Sequence, residues 1–373
     1  MPPAHPFRDS SVAPIGPGVL EVRGLPIEYE VLGRISGQVP LVLTPGGGGG
    51  KGGFRWLAQR FKNGRQCFIW DRPNTGASGF TLGDDERQPE FDLQADYLHF
   101  ALHQLGMAPA ILLGKSNGAR LCLVMAAKYP EDVAGLILLN VTSGHKAAKH
   151  LSKERYYKHL DTVASGGGMR AVAAHPHFAS LFEKNPANRA RLLSYPPDRF
   201  MLQMKVWGDS LSKGGDSAAF PVTALPRALL QKIKQPALCV FIAEPGGGDD
   251  GMHTLSAMQG LHSVLPGAAS RPVVVSDDKE VYCAAIEDFM AHDVPMPTTM
   301  PQTPSAAILA QPLRVREGFY PQMPSPQELQ ELREYYSQLA QGRDEEAEQE
   351  KKALCSFNGL FDGLYSWKTP RQR

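Results

Sequence analysis

Gly114-Lys115-Ser116-Asn117-Gly118 fills a G-x-S-x-G pattern between the apolar run Ala110 to Leu113 and an amphipathic stretch from Ala119 to Tyr129. A strand that enters a helix through so tight a turn has room only for small residues beside the serine, and it lifts the Ser116 hydroxyl above the end of a sheet. The pentapeptide alone is a common string, because glycine and serine are common. The strand before it and the helix after it give it weight against the simpler reading of a β-α turn with an incidental serine.

Working outward, residues Val19 to Gly33 alternate apolar and polar around Gly24-Leu25-Pro26, the pattern of a β-hairpin. Short apolar runs follow at Pro40 to Thr44, Gln66 to Asp71, Ala110 to Gly114, Gly135 to Asn140, Pro236 to Ala243 and Arg271 to Ser276, separated by helical patterns. This is the rhythm of an α/β protein whose parallel strands are joined by crossover helices. Six such strands after a hairpin predict an eight-stranded, mostly parallel sheet. The stretch 141–234 breaks the rhythm, with aromatic residues and Gly/Pro breaks but no clear strand. A helical cap over the serine's end of the sheet is expected there, since ligands bind at the carboxyl ends of parallel strands.

The expected organisation is an N-terminal extension at 1–18, a core at 19–141 and 235–292, a helical cap at 142–234, a proline-rich linker at 293–324 and a C-terminal tail at 325–373. The linker carries Pro295, Pro297, Pro301, Pro304 and Pro312. Ser325, Pro326 and Glu328 then form a helix start with a capping box, and Leu329, Leu332, Tyr336 and Leu339 share one helical face. Phe357, Phe361, Tyr365 and Trp367 would be costly to leave in water. Residues 321–367 are therefore expected either to dock on a protein partner or to fold back on their own domain.

The chain has 373 residues, and 39 Lys and Arg against 38 Asp and Glu leave a formal charge of +1. So balanced a surface has no global field to recruit nucleic acid or an anionic membrane. No apolar run approaches the length of a membrane span, and Met1 to Gly18 has no apolar signal region. The five cysteines, Cys67, Cys122, Cys239, Cys283 and Cys355, lie far apart. That spacing predicts a reduced, intracellular, soluble protein rather than a disulfide framework or a zinc site.

The loop Pro45-Gly46-Gly47-Gly48-Gly49-Gly50-Lys51-Gly52-Gly53 lacks a P-loop, because Pro45 and Gly52 replace the required glycine and hydroxyl residue. Gly47, Gly49 and Gly52 do satisfy G-x-G-x-x-G, with Asp71 about twenty residues on. A polyglycine run meets any glycine spacing automatically, however, and a hairpin before it and a serine turn after it belong to another topology, so no cofactor is expected. For acyl chemistry the loop has a direct use: Gly46 or Gly47, with the N–H of Asn117, would supply the backbone donors that meet a tetrahedral oxyanion.

Taken together, the hairpin Val19 to Gly33, the loop Leu41-Val42-Leu43-Thr44-Pro45-Gly46-Gly47, the segment Trp70-Asp71-Arg72-Pro73-Asn74-Thr75-Gly76-Ala77-Ser78, the serine turn and Asp250-Gly251-Met252-His253-Thr254 make the chain resemble the α/β-hydrolase fold superfamily. The resemblance covers roughly Val19 to His292 and looks like a branch near the esterases and the meta-cleavage-product carbon-carbon hydrolases. It implies a Ser-acid-His triad in chain order. The acid belongs after the seventh strand, where Glu244, Asp249 and Asp250 stand; Asp250, just before the next helical pattern, is favoured.

The histidine belongs after the last strand, yet that loop reads Asp277-Asp278-Lys279. A serine hydroxyl needs a partner to take its proton. His253 is the first alternative and His145, after the sixth strand, the second; His253 reads equally well as an ordinary residue at a helix start. His99 and His103 are expected on the surface of the helix after the fourth strand, and His175 and His177 lie in the cap. No histidine pair comes with a third metal ligand in view, so no metal is expected, and Lys115 is expected to point away from Ser116.

Two functions follow as expectations. One is a serine hydrolase acting on a small ester, lactone or activated carbonyl substrate through Ser116, Asp250 and His253. The other is a catalytically silent hydrolase fold serving as an accessory subunit through its tail.

Overall fold

The apolar runs fold as strands because both of their faces are covered. In the computed structural model, which describes residues 15–296 except 48, 213–219 and 244–249, together with 314, 327, 330, 331 and 334, the strands are β1 (Gly16–Val22), β2 (Leu25–Leu32), β3 (Leu41–Thr44), β4 (Cys67–Trp70), β5 (Ala110–Lys115), β6 (Val133–Leu139), β7 (Ala237–Ile242) and β8 (Val274–Ser276). They form one eight-stranded sheet in the order β1-β2-β4-β3-β5-β6-β7-β8. The hairpin β1-β2 pairs antiparallel and joins β4 antiparallel; every pairing from β4 to β8 is parallel. The expected α/β class and strand count are therefore present.

Alternation along each buried strand sorts its residues into two cores. Val42, Phe68, Leu112 and Leu138 point to one face. Their neighbours Leu41, Leu43, Ile69, Leu113 and Leu139 point to the other. The second face is covered by α1 (Arg55–Phe61) through Leu57 and Phe61, with Ile286 and Phe289 from the last described helix. The first face carries α2 (Glu90–Gln104) and α3 (Asn117–Lys128). Both helices are buried almost all round, because further chain packs outside them.

That further chain lies between β6 and β7. It contains α4 (His145–Ser152), α5 (Lys158–Thr162), α6 (Gly168–Ala174), α7 (Pro176–Lys184), α8 (Ala187–Leu193) and α9 (Pro197–Ser212). The turn Lys153–Tyr157 between α4 and α5 is wound as a wide π-helix. Side chains, rather than backbone pairing, fasten this segment to the loop that follows β4. Asn188 accepts from Phe80 N at 2.7 Å and donates to Ser78 O at 2.9 Å. Asn185 donates to Ala77 O at 2.9 Å, and Trp207 Nε1 to Gln88 O at 2.9 Å. The helical segment thus sits over the carboxyl end of β4. The short helix α10 (Arg227–Leu230) leads into β7, and α11 (Leu255–Val264) and α12 (Lys279–His292) follow it.

Cys67, Cys122, Cys239 and Cys283 are free and buried, as the elements containing them require. Cys355, nearly all of the expected docking segment 321–367 and most of the linker lie outside the described residues. Among the described residues no helix is long and apolar enough to cross a membrane.

The sheet's central crossing leaves no room for a side chain. A Cβ on Gly118 would lie 2.1 Å from Thr44 O, and one on Gly114 would lie 2.4 Å from the Gly118 carbonyl. Backbone atoms cannot swing aside as a flexible side chain can. Gly118→Ala is therefore expected to lose more than about 3 kcal/mol in urea unfolding, whereas Gly52→Ala, in open space, should change stability by less than about 1 kcal/mol. Equal effects of the two substitutions would contradict this packing.

Candidate active site

The strand-to-helix turn puts Ser116 in a conformation that few non-glycine residues adopt, with φ 57° and ψ −118°. Such strain persists only where the surroundings enforce it. Here Ser116 N donates to Leu139 O at 3.0 Å, and Gly114 and Gly118 permit the close crossing just described. The serine consequently stands at the carboxyl end of β5, next to the end of β6.

A second short turn brings its partners. Ser116 Oγ lies 2.8 Å from His253 Nε2, and His253 Nδ1 lies 2.7 Å from Asp250 Oδ2. The other carboxylate oxygen, Oδ1, accepts from Met252 N at 2.8 Å and His253 N at 2.7 Å. Gly251 makes this turn possible at φ +70°. Ser143 N, just beyond β6, donates to Met252 O at 3.1 Å and holds the turn against the sheet. Thr254 accepts from Ala257 N at 3.1 Å as the N-cap of α11, so His253 lies just outside the helix.

Burial would raise the Asp250 carboxyl, but hydrogen bonding to His253, its charge and the two backbone donors outweigh that and bring it down to about 2. An ionised Asp250 accepts the Nδ1 proton and leaves the Nε2 lone pair facing the serine hydroxyl. This is the geometry in which an imidazole takes a hydroxyl proton.

The glycine loop closes the other side. A Cβ on Gly46 would lie 2.8 Å from both Lys115 O and Ser116 Cβ, so its backbone presses directly on the serine turn. Gly47 has φ +51°. Asn117 is the first residue of α3, where a backbone N–H has no intrahelical acceptor. Gly46 and Asn117 are thus backbone neighbours of Ser116.

Sequence reasoning missed Thr142. Its hydroxyl lies 2.8 Å from Ser116 Oγ and 3.5 Å from His253 Nε2. The only available signal was its position just beyond β6, where His145 was considered instead. His145 is exposed at the first residue of α4, and the Ser116 hydroxyl pairs with His253 and Thr142 rather than with it. Glu244 and Asp249 lie outside the described residues. Lys115 is exposed, and His177 in the helical segment is half-buried.

The expectation of surface positions for His99 and His103 is corrected. His99 is only 4% exposed and stacks on Tyr129 with ring centroids 4.0 Å apart. Its Nδ1 lies 2.5 Å from Asp132 Oδ2, while His103 Nε2 lies 2.8 Å from Asp132 Oδ1. The fold thus supplies the third group that the sequence did not reveal, because Asp132 comes from the turn before β6. The ligand-type atoms of this trio lie within 4.8 Å of one another, a spacing that can hold a metal ion. The same atoms also satisfy one another as a hydrogen-bonded network.

Asp71, the residue that gave the glycine loop its dinucleotide look, is occupied. Its carboxylate accepts from Lys51 N at 2.5 Å and Ala77 N at 2.9 Å, with Lys51 Nζ at 3.5 Å. Asp71 therefore braces the glycine loop from below.

Residues 39–196 match the family model described as the α/β hydrolase fold. That match and the strand order support the α/β-hydrolase superfamily for this part of the chain. It is 28% identical to a proline iminopeptidase of Lactobacillus delbrueckii subsp. bulgaricus over 163 residues, covering 40% of this chain and 55% of that protein. It is 34% identical to Lipase 1 of Psychrobacter immobilis over 113 residues, 30% of this chain and 34% of the lipase. The chain thus spans about half the length of the first of these relatives and a third of the second. The crystal structure of lip1 from Acinetobacter baumannii AYE superimposes with a TM-score of 0.51 at 17% identity, covering 74% of this chain and 91% of that one, a likeness of fold.

The His99-Asp132-His103 network has a pH signature. Burial would raise the Asp132 carboxyl, but the hydrogen bonds from His103 and His99 prevail and hold it below the ordinary carboxylate value. A depressed folded value means that its contribution is complete above about pH 4 and is lost as pH falls through the folded value. Asp132→Asn should therefore be less stable than the parent at pH 6, by about 1–3 kcal/mol, and the gap should narrow by pH 3. Urea unfolding at both pH values measures it, and a constant gap would refute the assignment.

Proposed function

We propose that this protein is a serine hydrolase acting on a small ester, lactone or activated carbonyl substrate. The observation that carries the reading is the continuous hydrogen-bonded chain Ser116 Oγ to His253 Nε2 and His253 Nδ1 to Asp250 Oδ2, at 2.8 and 2.7 Å. In this mechanism His253 takes the hydroxyl proton as Ser116 Oγ attacks the carbonyl carbon. Asp250 stabilises the imidazolium and fixes its orientation. The developing oxyanion is met by backbone N–H groups of Gly46 or Gly47 and of Asn117. His253 then donates its proton to the leaving group, and water releases the acyl group from Ser116 by the same steps in reverse.

The relatives named above are a peptidase and a lipase, both hydrolytic, which supports the reaction class without choosing the substrate. The helical segment over the sheet is assigned here as the cap that surrounds the acyl group. The alternative of a silent subunit drew on the missing histidine after β8, and His253 weakens that argument.

Labelling by a fluorophosphonate probe tests the proposal. The wild-type chain should label, Ser116→Ala should not, and His253→Ala should label at least about 10³-fold more slowly. Asp250→Asn should fall between the parent and His253→Ala. A folded wild type that fails to label, or labelling that survives Ser116→Ala, would remove the serine-hydrolase reading.

A further inference from the structure

The Ser116 hydroxyl has one proton and two close partners. His253 Nε2 and Thr142 Oγ1 each lie 2.8 Å from Ser116 Oγ. The ionised Asp250 holds a proton on His253 Nδ1, which leaves Nε2 as a bare acceptor that claims the serine proton. A hydroxyl that donates to one partner can only accept from the other, so Thr142 is the donor in its bond to Ser116.

Among the described residues the Thr142 proton has two other acceptors in reach, Asn117 Oδ1 and His253 Nε2, both at 3.5 Å. His253 Nε2 is already taken by Ser116, and Asn117 Oδ1 accepts from Arg120 Nη2 at 2.7 Å. Arginine carries no acceptor, so the Asn117 atom that faces it is the carbonyl oxygen. The same oxygen faces Thr142, and that neighbour is therefore an acceptor rather than a rival donor. The short bond to Ser116 Oγ prevails over both long ones.

The chain around Thr142 is pinned on several sides. Asn140, at φ +41°, accepts from Ile242 N at 2.6 Å and donates to Ile242 O at 2.9 Å through its side chain. Its backbone N donates to Val240 O at 3.0 Å. Ser143 Oγ donates to Pro221 O at 2.9 Å, and Ser143 N holds Met252 O at 3.1 Å. The segment 140–143 is thus fastened to β7 and to the turn that carries His253. Thr142 is only 2% exposed. A side chain so covered acts on a substrate through the serine and not by touching it.

We infer that Thr142 is a positioning residue for the nucleophile: its hydroxyl donates to Ser116 Oγ and keeps the serine proton on the line to His253 Nε2. Of the two lone pairs on Ser116 Oγ, Thr142 occupies one and leaves the other for attack. In the step itself the Oγ–H bond breaks toward Nε2 as the bond from Oγ to the carbonyl carbon forms, and Thr142 keeps its own proton. Without this donor the serine is held from one side only, and rotamers turned away from His253 gain population. The inference rests on the proposed serine hydrolysis and adds a residue to it.

Rates of fluorophosphonate labelling for the full chain and its Thr142→Val, Thr142→Ser and Thr142→Ala variants test it. The parent and Thr142→Val differ by a hydroxyl against a methyl, and Thr142→Ser and Thr142→Ala by the hydroxyl alone. In each pair the member that keeps the hydroxyl should label at least about fivefold faster. Melting temperatures identify a variant that fails to fold, and either pair decides the matter by itself. The loss should be uniform between about pH 6 and about pH 9, because a threonine hydroxyl does not ionise there. A smaller loss in a folded pair, faster labelling of Thr142→Val, or a rate profile displaced along the pH axis would each overturn the inference. A parent chain that fails to label removes the hydrolase reading, and the role of Thr142 falls with it. A parent that labels, with the two members of each pair alike, removes the role of Thr142 alone.

Discussion

The approach of Gly118 to the carbonyl of Thr44 governs the geometry of this protein. Two backbones that meet with no room for a methyl group fix the end of β3 against the start of α3. This crossing forces the strained turn at Ser116 and brings the backbone of Gly46 against the same residue. Parallel strands then do the rest, because every crossover returns the chain to the same edge of the sheet. The turn at Asp250–His253 and the end of β6 arrive there independently of Ser116, and their docking is recorded in the bond from Ser143 N to Met252 O.

The helical segment between β6 and β7 solves a different physical problem. It must cover the carboxyl edge without extending the sheet. Its amide and indole side chains satisfy the backbone of the loop after β4, which would otherwise be buried without partners. Apolar packing seals the rest, with Phe178 and Tyr195 standing edge-on to Phe80.

The strands were legible because burial on both faces leaves runs such as Leu41-Val42-Leu43 almost free of polar residues. The serine turn was legible because its glycines are demanded by backbone contacts, which act at fixed offsets. Features made by distant residues were not. His99 sits in a helix whose outer face is itself covered, so a residue that reads as a surface histidine is buried against Tyr129. Thr142 has no spacing that marks it. His253 was legible as a residue of interest, but its two readings separated only when α11 proved to begin after it, with Thr254 as its cap.

The short turn joining Asp250 to His253 has a consequence for how this edge of the protein is assembled. Bringing two side chains together from separate loops requires each loop to be ordered and each closure to be made at an entropic cost. Here the carboxylate orients the imidazole through contacts three residues apart, including bonds to the turn's own backbone. The pair is a local unit that can form before it docks. Long-range contacts with Ser116 and Ser143 then complete the arrangement, and the Asp250–His253 pair itself uses no residue of the loop after β8.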